Sequence, residues 1–166
     1  MSVLSREELR TLLGADPPLV EDIDEATQLQ PNGIDLRAER IHRLTSRGAL
    51  GVYAREPAER TEARSDPDGW WDLAPGGYVI GYREKVNLPP DLMALLRPRS
   101  SLLRSGVTIH GAVWDAGYSG RGEGLLAVWG SGFRLQRGAR VAQLVFFRLS
   151  SPTTQGYRGI YQRENT

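Results

Sequence analysis

The sequence of 166 residues contains no cysteine. Disulfides and thiolate metal sites are therefore excluded. It has two histidines, His42 and His110, and their spacing does not mark a paired zinc site. Lysine is almost absent: Lys85 is the only one among 21 basic residues, so arginine carries nearly all the positive charge. Acidic residues number 20, which leaves a formal net charge of +1 and no general field toward nucleic acid or membrane. No apolar run reaches the length of a membrane span, and the N-terminal stretch has no signal-peptide h-region. A cytoplasmic protein is the expectation. No internal repeat is evident. The length and the 40% hydrophobic content suit one soluble domain with a real core.

Ser5-Arg6-Glu7-Glu8 forms a capping box, with Ser5 at the N-cap and Glu8 three residues on. Leu9, Leu12 and Leu13 then share a helical face, and Gly14 is a stop. Residues 1–29 read as an N-terminal helical segment. Pro31-Asn32-Gly33 is a turn before the strand Ile34-Asp35-Leu36-Arg37. Asp35 reads as an outward-facing polar strand residue, a supporting role near a cleft being the alternative. Residues 55–69 read as a polar surface loop, and Trp70-Trp71 as packing or a subunit contact. From Pro75 onward short strands recur every eight to twelve residues, separated by turns such as Gly130-Ser131-Gly132 and Gln136-Arg137-Gly138. That rhythm predicts an all-β sandwich or barrel. Val107 to Trp114 reads as a β-hairpin presenting Asp115 near its tip. Residues 152–166 read as a polar tail, flexible without ligand.

Chemistry concentrates in Arg97-Pro98-Arg99-Ser100-Ser101-Leu102-Leu103-Arg104. Arg99 and Arg104 offer planar donor forks that suit phosphate oxygens, and Ser100 and Ser101 add hydroxyls. The preceding apolar run predicts a strand that delivers the serines to the mouth of a short helix, whose backbone N–H groups favour a phosphate. Eleven residues after Arg104 comes Asp115. A carboxylate this close to a phosphate cluster either holds a metal or activates a water, though Asp115-Ala116-Gly117 is also good turn chemistry. Gln143 is a polar break in an otherwise apolar strand and asks for a partner.

These segments occur in order with Gln30-Pro31-Asn32-Gly33-Ile34-Asp35-Leu36-Arg37, Trp114-Asp115-Ala116-Gly117-Tyr118-Ser119-Gly120, Gly138-Ala139-Arg140-Val141-Ala142-Gln143-Leu144 and Gly156-Tyr157-Arg158-Gly159-Ile160-Tyr161-Gln162. The series resembles the dUTPase and dCTP deaminase superfamily, on its deaminase-like (archaeal-type) branch, from about Gln30 to Gln162. The resemblance implies a distorted β-barrel or jelly-roll-like fold for a single domain spanning residues 1–166, its tail lying over the active site, and a homotrimer with active sites between subunits.

It also implies roles. Arg99, Ser100, Ser101, Arg104 and Gln143 would face a triphosphate. Asp115 would activate the water, making Arg99, Ser100 and Asp115 the catalytic group. Tyr118 would pack on deoxyribose and exclude a 2′-hydroxyl. The backbone of His110, Gly111, Ala112 and Val113 would read the pyrimidine edge, and Tyr157 and Gln162 would close over the nucleotide. Mg²⁺ would be held through the triphosphate and water, with no protein ligand cage. The expected activity is conversion of dUTP and water to dUMP and pyrophosphate. A dCTP deaminase, mono- or bifunctional, and a non-catalytic nucleotide-binding module remain the alternatives.

Two departures matter. Ile160 stands where such tails usually carry lysine. The glutamate that shuttles protons in deaminases falls on Ala127, and Glu123 is expected in the preceding turn.

Overall fold

The structure is a computed structural model and describes residues 2–166. Among these, helix is confined to Arg6–Leu13, Glu25–Gln28 and Ser100–Leu103. No helix among them is long and apolar enough to cross a membrane. The first helix begins as its sequence dictates. The Ser5 side chain accepts from the Glu8 N–H at 3.3 Å, and the Ser5 N–H donates to the Glu8 carboxylate at 2.9 Å. Gly14 is the C-cap, and Leu9 is buried. The strand Ser2–Val3 ties this segment to the long strand Arg140–Arg148.

A ten-stranded sheet organises the remainder. Gly33–Leu44 lies at its centre, paired antiparallel with Gly76–Tyr82 on one side and with Arg140–Arg148 on the other. Beyond Gly76–Tyr82 come Glu123–Val128 and then Val107–His110; beyond Arg140–Arg148 come Leu92–Pro98 and then Val113–Trp114. Alternation decides which face is inside. In Leu92–Pro98, Leu92, Ala94 and Leu96 are buried while Arg97 is exposed. Tyr78, Ile80 and Tyr82 fill the interior from a neighbouring strand, and Phe146 and Leu144 from another.

The strands Val107–His110 and Val113–Trp114 stand at opposite ends of this order, yet only Gly111 and Ala112 separate them. Two residues span at most about 7 Å, so the sheet must curl until its two edges meet. The single hairpin expected from the sequence is therefore absent. Val107–His110 pairs with Glu123–Val128, and Val113–Trp114 pairs with Leu92–Pro98. Periodicity shows two strands and a turn but not which neighbour each strand takes.

The stretch 55–69 is largely exposed, as expected, but contains two short strands, Arg55–Glu56 and Arg60–Glu62. The second extends the sheet by pairing with the end of the central strand. Trp71 is buried, with Arg137 over its ring at 5.4 Å, and Trp70 carries Arg134 at 4.9 Å.

Close approach at the sheet centre depends on Gly33, where a Cβ would fall 2.7 Å from the Leu144 carbonyl oxygen and 2.8 Å from Gln143 Cγ. Gly33→Val should cost about 2 kcal/mol, the usual scale for overpacking. The check is a urea titration, in which an unchanged midpoint would show that these strands can part freely.

Candidate active site

The phosphate-type cluster is built on a buried carboxylate. Strand pairing sets Arg97 opposite Gln143 and Gln143 opposite Asp35, and directly paired residues share a face. Asp35 is only 2% exposed, so the outward-facing reading is corrected. It lies 3.1 Å from Arg140 Nη1 and 3.6 Å from Arg99 Nε, and accepts from Gln143 Nε2 at 3.5 Å. Burial pushes its carboxyl above the usual range, while Arg99, Arg140 and the Gln143 hydrogen bond pull it back. The polar break at Gln143 thus has its partner, and Arg99 is aimed by an anchor on another strand.

Ser100 and Ser101 open a single helical turn on the exposed side, held down by buried Leu102. Arg104 is exposed beside them. Asp35→Ala would leave Arg99 and Arg140 without their shared anion. It should lower stability by about 1–3 kcal/mol, below the full cost of a broken buried pair because both arginines keep partial access to water. Urea denaturation measures this, and Asp35→Asn should lose less.

The second part of the site is a cavity of about 530 Å³. His110, Ala112, Val113 and Asp115 form one side, Glu123 and Leu125 another, and Tyr157, Tyr161 and Glu164 of the tail close over it. Asp115 is exposed at its rim, in a turn closed by the Tyr118 N–H to the Asp115 carbonyl at 3.1 Å. The turn is pinned from below: the Gly117 N–H donates to the Leu88 carbonyl at 3.0 Å, and the Leu88 N–H to the Tyr118 carbonyl at 2.8 Å.

Trp114, Tyr118 and Tyr157 stack edge to face, with centroids 5.3 and 5.8 Å apart, a favoured aromatic geometry. Three alternate glycines make room for the rings. A Cβ at Gly120 would fall 2.7 Å from the Tyr118 hydroxyl, one at Gly122 2.4 Å from Trp114, and one at Gly124 2.6 Å from the Tyr82 hydroxyl.

The sequence-derived residues fall into two groups within the chain. His110, Ala112, Val113, Asp115, Tyr118 and Tyr157 line the cavity. Gly111 lies between the two cavity edges, packed on Leu96. Gln162 spends its side chain on the turn beneath, accepting from the Ser119 N–H and donating to the Gly117 carbonyl, each at 2.9 Å. Arg99, Ser100, Ser101, Arg104 and Gln143 do not line the cavity. Trp114 pairs with Ala94, which puts Asp115 at the level of Met93; Arg99 is six residues further on, roughly 20 Å along the sheet at the usual strand rise.

Glu123 opens the strand Glu123–Val128 and lines the cavity, so its placement in the preceding turn is corrected. The glycine-rich run that made it look like a turn is the face that receives the aromatic rings. Ala127 pairs with Thr108 and Gly77 and is not on the cavity wall. Glu123 is held by Arg60 at 2.5 Å. Glu164 was not singled out from the sequence, because nothing in a polar tail marks which residue turns inward.

The dCTP deaminase-like family model matches residues 3–149. The chain belongs to that family. It is 46% identical over 169 aligned positions to a probable deoxyuridine 5′-triphosphate nucleotidohydrolase of Methanococcoides burtonii, covering 99% of each chain. It is 43% identical over 173 positions to the probable enzyme of that name from Methanosarcina mazei, covering 100% of this chain and 99% of the relative. The fold is similar to that of 2′-deoxycytidine 5′-triphosphate deaminase from Agrobacterium tumefaciens, with a TM-score of 0.69 at 22% identity, over 89% of this chain and 48% of that one. The family's all-β, distorted-barrel fold agrees with the curled sheet.

Proposed function

We propose that this protein is a dUTP diphosphatase that converts dUTP and water to dUMP and pyrophosphate. The observation that carries the reading is Asp115, exposed at the rim of a cavity that ends in the Tyr118 ring, in a chain matched over nearly its whole length by relatives named for this reaction. The Tyr118 ring would lie against the sugar. The backbone of His110 to Val113 would offer N–H and C=O groups to the base. Asp115 would take the proton of the attacking water. Arg99, Arg104, Ser100, Ser101 and Gln143 would take up the charge that builds on the phosphates. Tyr157 and the tail would exclude bulk water.

Among the described residues no three His, Asp or Glu side chains converge as a ligand set. Mg²⁺ would be carried by triphosphate oxygens and water. The bound ion would neutralise phosphate charge and hold the chain of oxygens in line.

The second reading, dCTP deamination, gains from Glu123 on the cavity wall. The Arg60 ion pair at 2.5 Å opposes it, because a carboxylate oxygen engaged by a guanidinium is not free to bond the water and the amine between which the proton must pass. One experiment addresses both readings. With Mg²⁺, wild type should release pyrophosphate from dUTP and negligible ammonia from dCTP. Asp115→Asn should keep its melting temperature and lose turnover by about two orders of magnitude. Stoichiometric ammonia from dCTP would overturn the preference, and parental turnover in the variant would remove Asp115 from the reaction.

The separation of the two groups supports an assembly of several copies. Asp115 must come within about 3 Å of a water on the α-phosphate, yet the phosphate-type cluster of the same chain lies roughly 20 Å away along the sheet. A second copy supplying Arg99 to Arg104 closes that gap, and a closed ring of three gives every cavity such a partner. The whole chain, residues 1–166, would act as one domain of a homotrimer. Sedimentation equilibrium at micromolar concentration should give three chains, and a monomer would sink the proposal.

A further inference from the structure

The Tyr118 hydroxyl, at the sugar end of the cavity on the reading above, donates to Glu164 Oε1 at 2.9 Å. Tyr118 is almost fully buried, and its ring is confined by Trp114 and Tyr157. Burial and the Glu164 carboxylate push the phenol far above its ordinary range, so it remains a donor.

The segment around Glu164 is fastened to the turn that carries Tyr118. The Arg163 N–H donates to the Ser119 carbonyl at 2.7 Å, and the Arg121 N–H donates to the Glu164 carbonyl at 3.0 Å. Asn165 Nδ2 adds a bond to the Arg121 carbonyl at 3.0 Å. Residues 163 to 165 form a turn, with Arg163 and Asn165 at positive φ, that these bonds hold against 119 to 121. Bare Gly120 lets it come close: a Cβ there would be 3.2 Å from the Glu164 nitrogen.

The charged groups facing Glu164 come from three strands. Glu123 opens one, Arg60 on another pairs with Glu123, and Arg40 on the central strand reaches across Gly81, where a Cβ would lie 2.9 Å from Arg40 Nε. Burial and Glu123 raise the Glu164 carboxyl, while Tyr118, Arg60 and Arg40 pull it down. A neutral acceptor of the same shape would suit the position, because it keeps the oxygen facing Tyr118 and avoids both the burial cost and the repulsion from Glu123.

We propose that Glu164 is a positioning residue: by accepting the Tyr118 hydroxyl bond it locks the C-terminal turn onto the cavity and fixes the ring that reads the sugar. The part concerning the sugar rests on the dUTP reading; the latch itself does not.

Two measurements on the full-length protein test this. The first is kcat/KM for dUTP and for UTP. Glu164→Ala and Tyr118→Phe should each reduce the dUTP-over-UTP preference by about tenfold or more, the scale of a lost hydrogen bond to a charged group. Their combination should be no worse than either alone. Glu164→Gln should lie within about twofold of wild type, since the acceptor oxygen survives. Unchanged sugar preference in Glu164→Ala, additive losses, or a Glu164→Gln variant as impaired as Glu164→Ala would overturn the proposal.

The second is amide hydrogen exchange without nucleotide. Glu164→Ala should exchange faster at Ser119 and Arg121 than wild type or Glu164→Gln, and equal rates would overturn the latch even in an active enzyme. A wild type that shows this exchange pattern but leaves dUTP intact removes the functional reading and upholds the latch.

Discussion

The two-residue link between the edges of the sheet is the constraint on which the rest depends. Because Gly111 and Ala112 alone join strands at opposite ends of the strand order, the sheet has to curl. Curling brings His110 and Val113 to Asp115 into contact with the strand that begins at Glu123, and the cavity is the gap left between them. The alternate glycines at 120, 122 and 124 serve the same end. They leave bare backbone along 120 to 124 so that Tyr118, Trp114 and Tyr82 can approach it. The cost is the backbone freedom that glycine loses on folding, offset here by the apolar area of three rings.

Electrostatics is handled almost wholly by arginine and carboxylate. Three acids in or beside the core have a guanidinium assigned to them: Asp35 has Arg99 and Arg140, Glu84 has Arg37, and Glu123 has Arg60. Arginine suits this use because it is always charged and its planar fork is preorganised. At Asp35 the arrangement does more than satisfy a charge. Arg99 is held with one nitrogen toward the anchor, which on the proposed reading leaves its other donors for a phosphate. A lysine there would present a single mobile point charge instead.

Much of the fold could be read from residue spacing. The capping box at Ser5 and Glu8, the strand that leads into the helical turn at Ser100, and the turns at Gly130 to Gly132 and at Gly138 depend on local chemistry, and local chemistry is visible in sequence. Failures came where the deciding partner is distant. Asp35 looks like an ordinary polar strand residue until the Arg140 and Arg99 segments are placed beside it. The Val107 to Trp114 stretch looks like a hairpin until sheet closure assigns its halves to different neighbours. Glu123 sits in a glycine-rich run with every local mark of a turn, and only its pairing with Gly81 on the neighbouring strand shows it to be strand. The same logic hides Glu164, whose role depends on an acceptor geometry 46 residues from Tyr118.

On the proposed reading, the separation of Asp115 from the phosphate cluster has a further consequence. A chain that carried both groups within reach of one another could turn over as a monomer. Here Asp35 pairs with Arg99 and Arg140 within its own chain, while Asp115 waits at the rim of the cavity. Each half is built before assembly, and neither can complete the reaction. The cluster keeps an excess of positive charge, so that the triphosphate is what the exposed donors of Arg99 and Arg104 still lack.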